Sequence, residues 1–333
     1  MKAFVVEHYG KDGLRAAEVP EPEVGDADVL VKVSAAGVNP LDTMVRDGEF
    51  KRLLKYRTPF VLGHDVAGVV TGVGAAVREL QVGDEVYARP RDLRIGTFAE
   101  YIAIDHDDVA PKPASLTLRE AAAVPLVSLA AWQALVERAH LKPGQKVLVH
   151  AGSGGLGSTA IQLAKHLGAT VATTASGKNA ELVRSLGADV VVDYTKQDFA
   201  DVLSGYDVVL DPLGGENLEK SLTVLKPGGQ AIGVSGPPDP GFAKQLGASR
   251  FIGVVMGLLS RKVRRQARKR GVSYSFLFMQ ANGAQLRELA ALYDAGHLRP
   301  LIDTTFPFDQ ALEALAHVEQ GRANGKVVIT LDD

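Results

Sequence analysis

A glycine-rich turn between a strand and a helix constrains the fold of this chain more than any other feature. In the stretch KVLVHAGSGGLGSTAIQLAKHLG, a strand predicted from Lys146 to His150 leads into Gly152, Gly154 and Gly157, and a helix is predicted from about Leu156. Glycines in this order let the backbone turn tightly and approach a pyrophosphate, whose charge the helix N-terminal amides stabilise. Because strand, turn and helix are all present, we favour a dinucleotide-binding turn over one that holds nothing.

The residues around this turn continue the same alternation. After Pro125, short Val-rich strands such as TVATTAS, DVVVDY, DVVLDPLGG and QAIGVSG are separated by helical segments such as AELVRSLGA. Strands and helices that alternate at this spacing form βαβ units, with a parallel sheet covered by helices on both faces. The pattern predicts an α/β fold with a doubly wound Rossmann domain over residues 125–278.

The two ends of the chain have a different pattern. Residues 1 to about 120 carry short apolar runs broken by turn residues, which is typical of a mostly antiparallel β domain. The C-terminal part holds two amphipathic helices and a final strand, GKVVITL. Since 333 residues are too many for one ordinary hydrophobic core, we expect residues 1–124 and 279–333 to form a second, discontinuous domain.

The end of the second predicted Rossmann strand bears on the choice of dinucleotide. An NAD site usually places Asp or Glu there, about 20 residues after the glycines, to bind the ribose 2′-hydroxyl. This chain has Thr174, Ala175 and Ser176 at that point, followed by Lys178. A hydroxyl and an ammonium bind a 2′-phosphate, whereas a carboxylate repels it. The sequence therefore favours NADPH over NADH, and a solvated surface lysine is the alternative interpretation of Lys178.

The residue types present in the chain exclude several kinds of catalytic and metal site. The chain has no cysteine, which excludes disulfides, thiolate nucleophiles and sulfur-based zinc sites. Its 8 histidines form no HxxH or HExxH pair. His64 and Asp65 are adjacent in GHDVAGVV, and neighbouring residues of a strand point to opposite faces, so they supply two metal ligands at most. We therefore expect no metal, and no GxSxG turn offers a nucleophile for acyl chemistry.

Charge and hydropathy give no sign of a macromolecular partner or a membrane span. Lys plus Arg (37) nearly balances Asp plus Glu (39), so we expect no nucleic-acid partner. The N-terminus, MKAFVVEHYG, alternates like a strand and has no apolar core of a signal peptide. No apolar run approaches the length of a membrane span. These features predict a cytoplasmic protein, either a monomer or a homodimer.

The order of several motifs resembles the medium-chain dehydrogenase/reductase superfamily. The motifs run through nearly the whole chain and are AAGVNPLDTMVRDG, GHDVAGVV, VGDEVYA, GTFAEY, HAGSGGLG, LDPLGG and GRANGKVVI. The similarity is strongest to its zinc-free quinone oxidoreductase branch, which includes zeta-crystallin and plant enone or alkenal reductases. Zinc alcohol dehydrogenases have a metal-binding cysteine where this chain has Asn39 and Pro40, and His-Glu where it has His64 and Asp65. The resemblance implies a GroES-like substrate domain and hydride transfer from NADPH to a quinone or an α,β-unsaturated carbonyl without a metal.

The resemblance also implies roles for individual residues in cofactor binding. Beside Gly152, the residues expected to hold the pyrophosphate are Ser153, Gly154, Gly155, Leu156 and Gly157. Those expected around the 2′-phosphate are Ser176, Lys178 and Tyr194. Those expected to face ribose and nicotinamide are Leu213, Gly214, Ser235 and a strand with Phe276, Leu277 and Phe278. Asn324 and Lys326 are expected to close over the cofactor from the C-terminal side.

The resemblance also implies polar groups near the substrate. Asn39 and Asp42 are expected beside the nicotinamide and His64 near it, although Asn39 could instead cap the turn before Pro40, and Asp42 the helix that follows.

The residues at the positions expected to donate a proton differ from the family pattern. Two tyrosines that line the substrate cleft of zeta-crystallin-like proteins align with Phe50 and Phe60, and a phenyl ring has no proton to give to an enolate. Water is therefore the expected proton donor, with Tyr56 or Tyr274 as the alternative.

A basic stretch follows an apolar one between the last predicted Rossmann strands. Seven of the ten residues 261–270 are Lys or Arg, and FIGVVMGLLS precedes them. A solvated helix whose charge attracts NADPH is the favoured interpretation, and a weak contact with an anionic membrane is the alternative. For the whole chain, the alternative to a reductase is an NADPH-binding structural, nucleic-acid-binding or membrane-associated protein with weak catalytic activity.

Overall fold

Antiparallel strands build the first part of the chain in the computed structural model, which describes residues 1–247 and 249–331. These short strands are β1 (Lys2–Val6), β2 (Leu14–Glu18), β3 (Asp28–Val38), β4 (Phe60–Val61), β5 (Asp65–Val73), β6 (Glu85–Ala88), β7 (Tyr101–Asp105) and β8 (Val109–Pro111). The accompanying helices are α1 (Pro40–Arg46), α2 (Leu118–Ala122) and α3 (Pro125–Trp132). Each pairing among the eight strands is antiparallel, which confirms the predicted antiparallel β domain.

Strands and helices alternate in the middle of the chain. The strands are β9 (Lys146–Val149), β10 (Thr170–Ala175), β11 (Val190–Asp193), β12 (Tyr206–Asp211), β13 (Leu225–Gly233) and β14 (Ser273–Phe276). The helices are α4 (Gly155–His166), α5 (Ala180–Ser185), α6 (Phe199–Val202), α7 (Gly215–Val224), α8 (Pro240–Gln245), α9 (Arg250–Leu259) and α10 (Arg261–Lys269). All six strands are parallel, in the order β11-β10-β9-β12-β13-β14. This is the doubly wound order, which confirms the predicted Rossmann-like fold.

The end of the chain returns to the first sheet through α11 (Gly283–Asp294), β15 (Ile302–Pro307), α12 (Ala311–Glu319) and β16 (Lys326–Thr330). β16 pairs antiparallel with β3, with Val327 opposite Val38. The resulting seven-stranded sheet has the order β15-β16-β3-β5-β6-β8, and β7 pairs with β3 beside it. Two compact units result, one made of Met1–Leu129 with the chain from Gln280 onwards, the other of Ala130–Met279.

Burial explains why the central parallel strands are so apolar. All six residues of β12 and the last three of β9 are buried. Helices cover both faces of such a sheet, so a central strand has no solvent-facing side on which polar residues would alternate. The Val-rich runs of β9 and β12 thus lie in the interior of the second unit.

Two element boundaries differ from the sequence-based expectation. β14 ends at Phe276, so Leu277 and Phe278 follow the strand instead of lying in it. β9 ends at Val149, and His150 lies just beyond it. Among the described residues, no helix has the length and apolar character that a membrane span requires.

A buried histidine joins the strand ends that support the glycine turn. His150 Nδ1 lies 3.1 Å from Thr174 Oγ1 at the end of β10, and Nε2 lies 2.9 Å from Ser221 Oγ on α7. The Ser221 hydroxyl in turn lies 3.3 Å from Asp211 Oδ2 at the end of β12. Burial lowers the pKa of His150 to about 4, against a partly offsetting effect of Asp211, so the ring is neutral near pH 7.

This network predicts a pH-dependent stability. The unfolded chain takes up a proton on His150 as the pH falls through about 6.5, whereas the folded chain does so only near pH 4. The His150 contribution is therefore fully present above pH 6.5 and is lost between pH 6.5 and 4, by up to about 3 kcal/mol. Urea unfolding across this range should show a shallower pH slope for His150→Gln than for the unmodified chain. His8→Gln, at an exposed position, should keep the original slope, and parallel curves for His150→Gln would contradict the argument.

Candidate active site

Two positions of the glycine turn must be glycine for the chain to pack as it does, whereas a third position would tolerate a side chain. A Cβ at Gly152 would lie 2.1 Å from Thr173 Oγ1, and a Cβ at Gly157 would lie 2.2 Å from the Ala151 carbonyl oxygen. Neither distance is tolerable, so these glycines allow the close packing of α4 on the sheet. A Cβ at Gly154 would meet only the Ala151 oxygen, at 3.4 Å. The fold therefore does not demand glycine at 154, the residue that caps α4 without a side-chain hydrogen bond.

The residues expected around a 2′-phosphate gather at one edge of the parallel sheet. Ser176 follows β10 and is the N-cap of a 3-10 turn of Gly177–Asn179, which carries the exposed Lys178. Asn179 Nδ2 donates a 3.1 Å hydrogen bond to Ser153 Oγ, which ties this turn to the glycine loop. Tyr194 follows β11, the strand that pairs with β10, and is 64% exposed. Sequence reasoning missed Asn179, whose only signal is its position directly after Lys178.

A carboxylate also lies at this edge, and the sequence argument did not foresee it. It belongs to Asp193, at the end of β11. A Cβ at Gly177 would lie 2.5 Å from Asp193 Oδ2. The Thr195 hydroxyl, which donates at 2.7 Å, holds the pKa of Asp193 below its usual value, so the group is anionic. Lys196 lies 3.7 Å away and partly balances this charge.

The turn after β12 is shaped by one buried carboxylate. Asp211 Oδ1 accepts hydrogen bonds from the Leu213 and Gly214 amides at 2.7 and 2.8 Å, and Oδ2 accepts from Asn217 Nδ2 at 3.2 Å. These hydrogen bonds fix the backbone of the turn, and Leu213 within it is 53% exposed. A Cβ at Gly214 would lie 2.6 Å from the Ser235 carbonyl oxygen, so Leu213, Gly214 and Ser235 lie together at the carboxyl ends of β12 and β13. Ligands of open α/β sheets bind at such strand ends.

Phe276, Leu277 and Phe278 are buried instead of lining an open surface. The rings of Phe276 and Phe278 pack on Phe242 of α8, with centroids 5.1 and 5.0 Å apart. The Leu277 amide donates to the Gly233 carbonyl at 2.8 Å. These residues support the end of β13, and their contact with a cofactor stays a prediction.

A second group of sequence-predicted residues forms a buried polar cluster in the first unit. We call Asn39, Asp42, His64, Asp65 and Lys326 the polar cluster, and all five side chains are buried. The strand registers bring them together, because β3 ends just before Asn39, β5 begins at Asp65, and β16 begins at Lys326.

Asp42 holds two other members of the cluster. Its Oδ2 accepts a 2.7 Å hydrogen bond from the Asn39 backbone amide, and its Oδ1 lies 2.5 Å from His64 Nδ1. Asn39 is the N-cap of α1 and Asp42 is the third residue of that helix, so Asp42 does not precede the helix but does help to cap it, because its carboxylate accepts from the N-cap amide in a capping box. Since an ionised carboxylate only accepts, Nδ1 carries the proton of this bond. His64 Nε2 has no hydrogen-bond partner within residues 1–247 and 249–331.

Asp65 is held by groups from three distant segments. Its Oδ2 accepts from Asn39 Nδ2 at 2.9 Å and lies 3.1 Å from Lys326 Nζ. Its Oδ1 accepts from the Leu126 amide at 2.7 Å. Lys326 Nζ also donates to Asn39 Oδ1. The predicted contact of Lys326 with a cofactor stays a prediction, and its ammonium lies against Asp65, a partner that no spacing in the sequence indicates.

The polar cluster does not fit a zinc ion. Zinc sites use three or four Cys, His, Asp or Glu ligands. Here the imidazole Nδ1 and the Asp65 oxygens are already used, and the Lys326 ammonium occupies the position against Asp65 and Asn39 that a cation would take. One other trio of ligand-type side chains converges within the described ranges, Asp105, His106 and Asp107, but Asp105 pairs with Arg91 at 2.9 Å. No catalytic step is therefore assigned to a metal.

The aromatic positions expected at the substrate form a separate apolar group. Phe50, Tyr56 and Phe60 all pack against the core under β1 and α12, and Tyr56 stacks on Phe60 with centroids 4.9 Å apart. The Tyr56 hydroxyl accepts a 3.2 Å hydrogen bond from the Leu93 amide. Burial first, and Asp92 second, raise the pKa of Tyr56 well above its usual value. Tyr56 is thus a poor acid in this position.

Tyr274 and Asn324 make hydrogen bonds to residues outside the polar cluster. Tyr274 belongs to β14 of the other unit, and its hydroxyl donates a 2.9 Å hydrogen bond to the Pro237 carbonyl. Burial raises its pKa, and Asp239 adds to the effect. The Asn324 amide donates to Asp303 Oδ1 at 2.9 Å, which fixes the turn before β16.

Two family models match this chain. The model of the alcohol dehydrogenase GroES-like domain matches residues 25–114, in the antiparallel unit. The model described as zinc-binding dehydrogenase matches residues 186–329. The second description names a metal that the polar cluster does not fit, for the reasons given above.

Curated relatives and solved structures match over nearly the full length. A chloroplastic NADPH-dependent alkenal/one oxidoreductase of Arabidopsis thaliana is 37% identical, across 99% of this chain and 79% of the relative. A 2-methylene-furan-3-one reductase of Solanum lycopersicum is 38% identical with the same coverage. The quinone oxidoreductase of Coxiella burnetii superposes with a TM-score of 0.85 at 31% identity, and the match covers 99% of each chain.

The buried ion pair of the polar cluster predicts a large stability effect. Lys326→Met leaves Asp65 charged and short of a partner, so the free energy of unfolding should fall by about 3 to 5 kcal/mol in urea titrations. Asp65→Asn combined with Lys326→Met should lose clearly less than the sum of the single changes. Lys165→Met, at an exposed pair with Asp189, is the control and should lose less than about 1 kcal/mol. Strict additivity in the double variant would show that the two groups do not interact.

Proposed function

The chain belongs to the medium-chain dehydrogenase/reductase superfamily, and we propose that it is an NADPH-dependent, zinc-independent reductase that transfers hydride to quinones or α,β-unsaturated carbonyls. The family follows from relatives that are 37 and 38% identical across 99% of the chain. The names of these relatives and of the Coxiella burnetii structure describe reductases of alkenals, enones and quinones. The same acceptor class is therefore the first to test here.

The observation that carries this proposal is the open position at Gly154. The fold requires glycine at 152 and 157 but not at 154, where a Cβ would make only an ordinary contact with the Ala151 oxygen at the N-cap of α4, a position with no side-chain capping bond. A missing side chain at that point lets a pyrophosphate approach the first amides of the helix, whose dipole favours an anion. The residues assigned to hold it are Gly152, Ser153, Gly154, Gly155, Leu156 and Gly157.

The preference for NADPH depends on a balance of charges at the edge of the parallel sheet. Lys178 is exposed and has no carboxylate partner among the described residues, whereas the Asp193 carboxylate is neutralised in part by Lys196. Asn179 fixes the turn that carries Lys178 against Ser153. We assign Ser176, Lys178 and Tyr194 to the 2′-phosphate, because an ammonium and hydroxyls bind it directly.

The substrate-side residues are assigned a positioning role. When bound, NADPH supplies the hydride, and the protein contributes binding and orientation. Both oxygens of the Asp42 carboxylate are engaged, one by the Asn39 backbone amide and one by the His64 ring, so Asp42 acts by holding these groups, not by contacting an acceptor. Within the polar cluster, His64 Nε2 is the side-chain atom that has no hydrogen-bond partner among the described residues, which makes it the polar atom of this cluster that can bind another group.

Water is assigned as the proton source after hydride addition. The resulting enolate needs a proton, and the two phenols considered for this step are unsuited to give one. Burial raises the pKa of both Tyr56 and Tyr274, and the Tyr274 hydroxyl already donates to Pro237.

The remaining partner and location assignments are proposals of the same kind. The acceptor is a small molecule, the oligomeric state is a monomer or a homodimer, and a cytoplasmic location stays a prediction, since one relative is chloroplastic by name. The alternative function, an NADPH-binding protein with weak catalysis, keeps one supporting observation: Phe50 and Phe60 replace the phenols expected from the family.

A substrate screen tests the proposal. Purified protein is mixed with NADPH or NADH and a panel of quinones, enals and enones, and the nicotinamide absorbance is followed. We expect turnover with NADPH and at least one acceptor, and Lys178→Ala should raise the KM for NADPH by about tenfold or more while leaving the KM for NADH unchanged. Lys142→Ala removes an exposed lysine of the same unit and should change neither value.

Two outcomes of this screen would overturn different assignments. Tight NADPH binding without turnover on any acceptor would favour the non-catalytic alternative. An unchanged NADPH preference in Lys178→Ala would remove Lys178 from the 2′-phosphate site and leave the reductase assignment standing.

The proton source has its own test. Tyr56→Phe and Tyr274→Phe each delete one hydroxyl, and kcat should stay within about threefold of the unmodified enzyme if water supplies the proton. A loss of about 100-fold or more in either variant, with KM unchanged, would identify that phenol as the donor.

A further inference from the structure

Helix α9 turns its large apolar side chains towards the solvent instead of towards the core. Phe251, Val254, Val255, Leu258 and Leu259 are exposed, with Phe251 at 75%, Leu258 at 61% and Leu259 at 60%. Five of the fourteen large apolar side chains that are exposed within the described residues thus lie on this ten-residue helix. A surface helix normally turns such a stripe inward. We call these five residues the apolar stripe.

Small residues make up the face of α9 that packs inward. A Cβ at Gly253 would lie 3.7 Å from Ala243 Cβ, and a Cβ at Gly257 would lie 3.4 Å from Pro240 Cγ, so these two positions face α8. Met256, between them, is the buried residue of the helix. Glycines four residues apart let α9 lie close to α8 while its larger side chains project outward. The exposure of the apolar stripe is therefore built into the packing of the helix.

The next helix adds a cationic surface that is continuous with this stripe. A groove of about 510 Å³ is lined by Leu258, Arg261, Lys262, Arg265, Gln266 and Lys269. Lys262 pairs with Glu219 of α7 at 2.5 Å, whereas Arg261, Arg265 and Lys269 have no carboxylate partner in the described part of the chain. Because Leu258 belongs to both the apolar stripe and the groove, apolar and cationic side chains form one surface.

We propose that the apolar stripe and the cationic groove dock this protein on an anionic lipid bilayer. Apolar side chains next to unpaired cations match the acyl region and the charged headgroups of such a bilayer, respectively. A nucleic acid would satisfy the cations but leave Phe251, Val254 and Leu258 in water. A second copy of the chain would cover the apolar stripe but bring two sets of like charges together. The inference takes up the alternative interpretation of residues 261–270, a weak contact with an anionic membrane, extends it to α9, and does not depend on the proposed reductase activity.

Vesicle co-sedimentation of the full chain tests this docking surface. We expect retention by phosphatidylcholine vesicles that contain phosphatidylserine, little retention by phosphatidylcholine alone, and weakening by salt. Arg261→Gln, Arg265→Gln and Lys269→Gln together should weaken binding by about fivefold for each cation removed. Phe251→Gln with Leu258→Gln should weaken it by about tenfold or more, because the apolar insertion is lost.

Matched variants control for total charge and total apolar surface. Lys142→Gln, Lys146→Gln and Arg184→Gln remove three exposed cations from the same unit, and Val202→Gln with Leu312→Gln removes two exposed apolar side chains. Both controls should bind vesicles like the unmodified chain. Reduction of a water-soluble acceptor by NADPH, or NADPH binding alone if no acceptor is found, reports that every variant is folded.

Three results would overturn the proposal. Equal binding to neutral and anionic vesicles, or none to either, would remove the lipid surface as the partner. Unchanged vesicle binding by the Phe251 and Leu258 variant, together with equal binding of an RNA oligomer, would show a general polyanion site. A concentration-dependent dimer in analytical ultracentrifugation that the same variant abolishes would assign the surface to a second copy of this chain.

Discussion

A buried ion pair joins the N-terminal and C-terminal parts of the discontinuous unit of this protein. Lys326 and Asp65 are 261 positions apart in the sequence, and their side chains meet at 3.1 Å with Asn39 beside both. The pair requires β16 and β5 to flank β3 in one register, since a shift by one residue would turn both charged groups to the other face of the sheet. A buried charge without its partner is strongly destabilising, so this contact selects one arrangement of the C-terminal strand.

The polar cluster that results is held by hydrogen bonds between its members, which suits the positioning role that we propose for it. Asn39 caps α1 and at the same time accepts from Lys326, and Asp42 holds both the Asn39 amide and the His64 ring. Within the described residues, His64 Nε2 is the side-chain atom of the cluster that lacks a hydrogen-bond partner, and Asp65 is also held from outside the cluster by the Leu126 amide. The Lys326 ammonium lies against Asp65 and Asn39, where a cation would otherwise bind, and this is the physical basis for proposing hydride transfer without a metal.

The sequence predicted the Rossmann-like half in detail because local rules decide it. The glycine spacing, the Val-rich strands and the intervening helices each depend on neighbouring residues, and the structure confirms the sheet order that they imply. The exceptions lie where distant segments meet. Asn179 after β10 donates a hydrogen bond to Ser153 after β9, and Asp193 at the end of β11 lies beside Gly177, whereas the sequence rule for an acidic residue applies to the end of β10. Phe276 and Phe278 are buried by Phe242, a residue on a helix more than thirty positions earlier.

The sequence by itself determined the α/β pattern, the glycine turn, the absence of cysteine and the membership of a reductase family, because composition and short-range spacing carry these properties. Only the tertiary structure decided that His64 pairs with Asp42, that Lys326 is buried against Asp65, and that α9 turns its apolar side chains outward. Each of these depends on which strand register or helix face is covered by a segment far away in the chain. Hydrophobic periodicity shows that a helix has an apolar face, but packing against α8 through Gly253 and Gly257 determines which face meets the solvent.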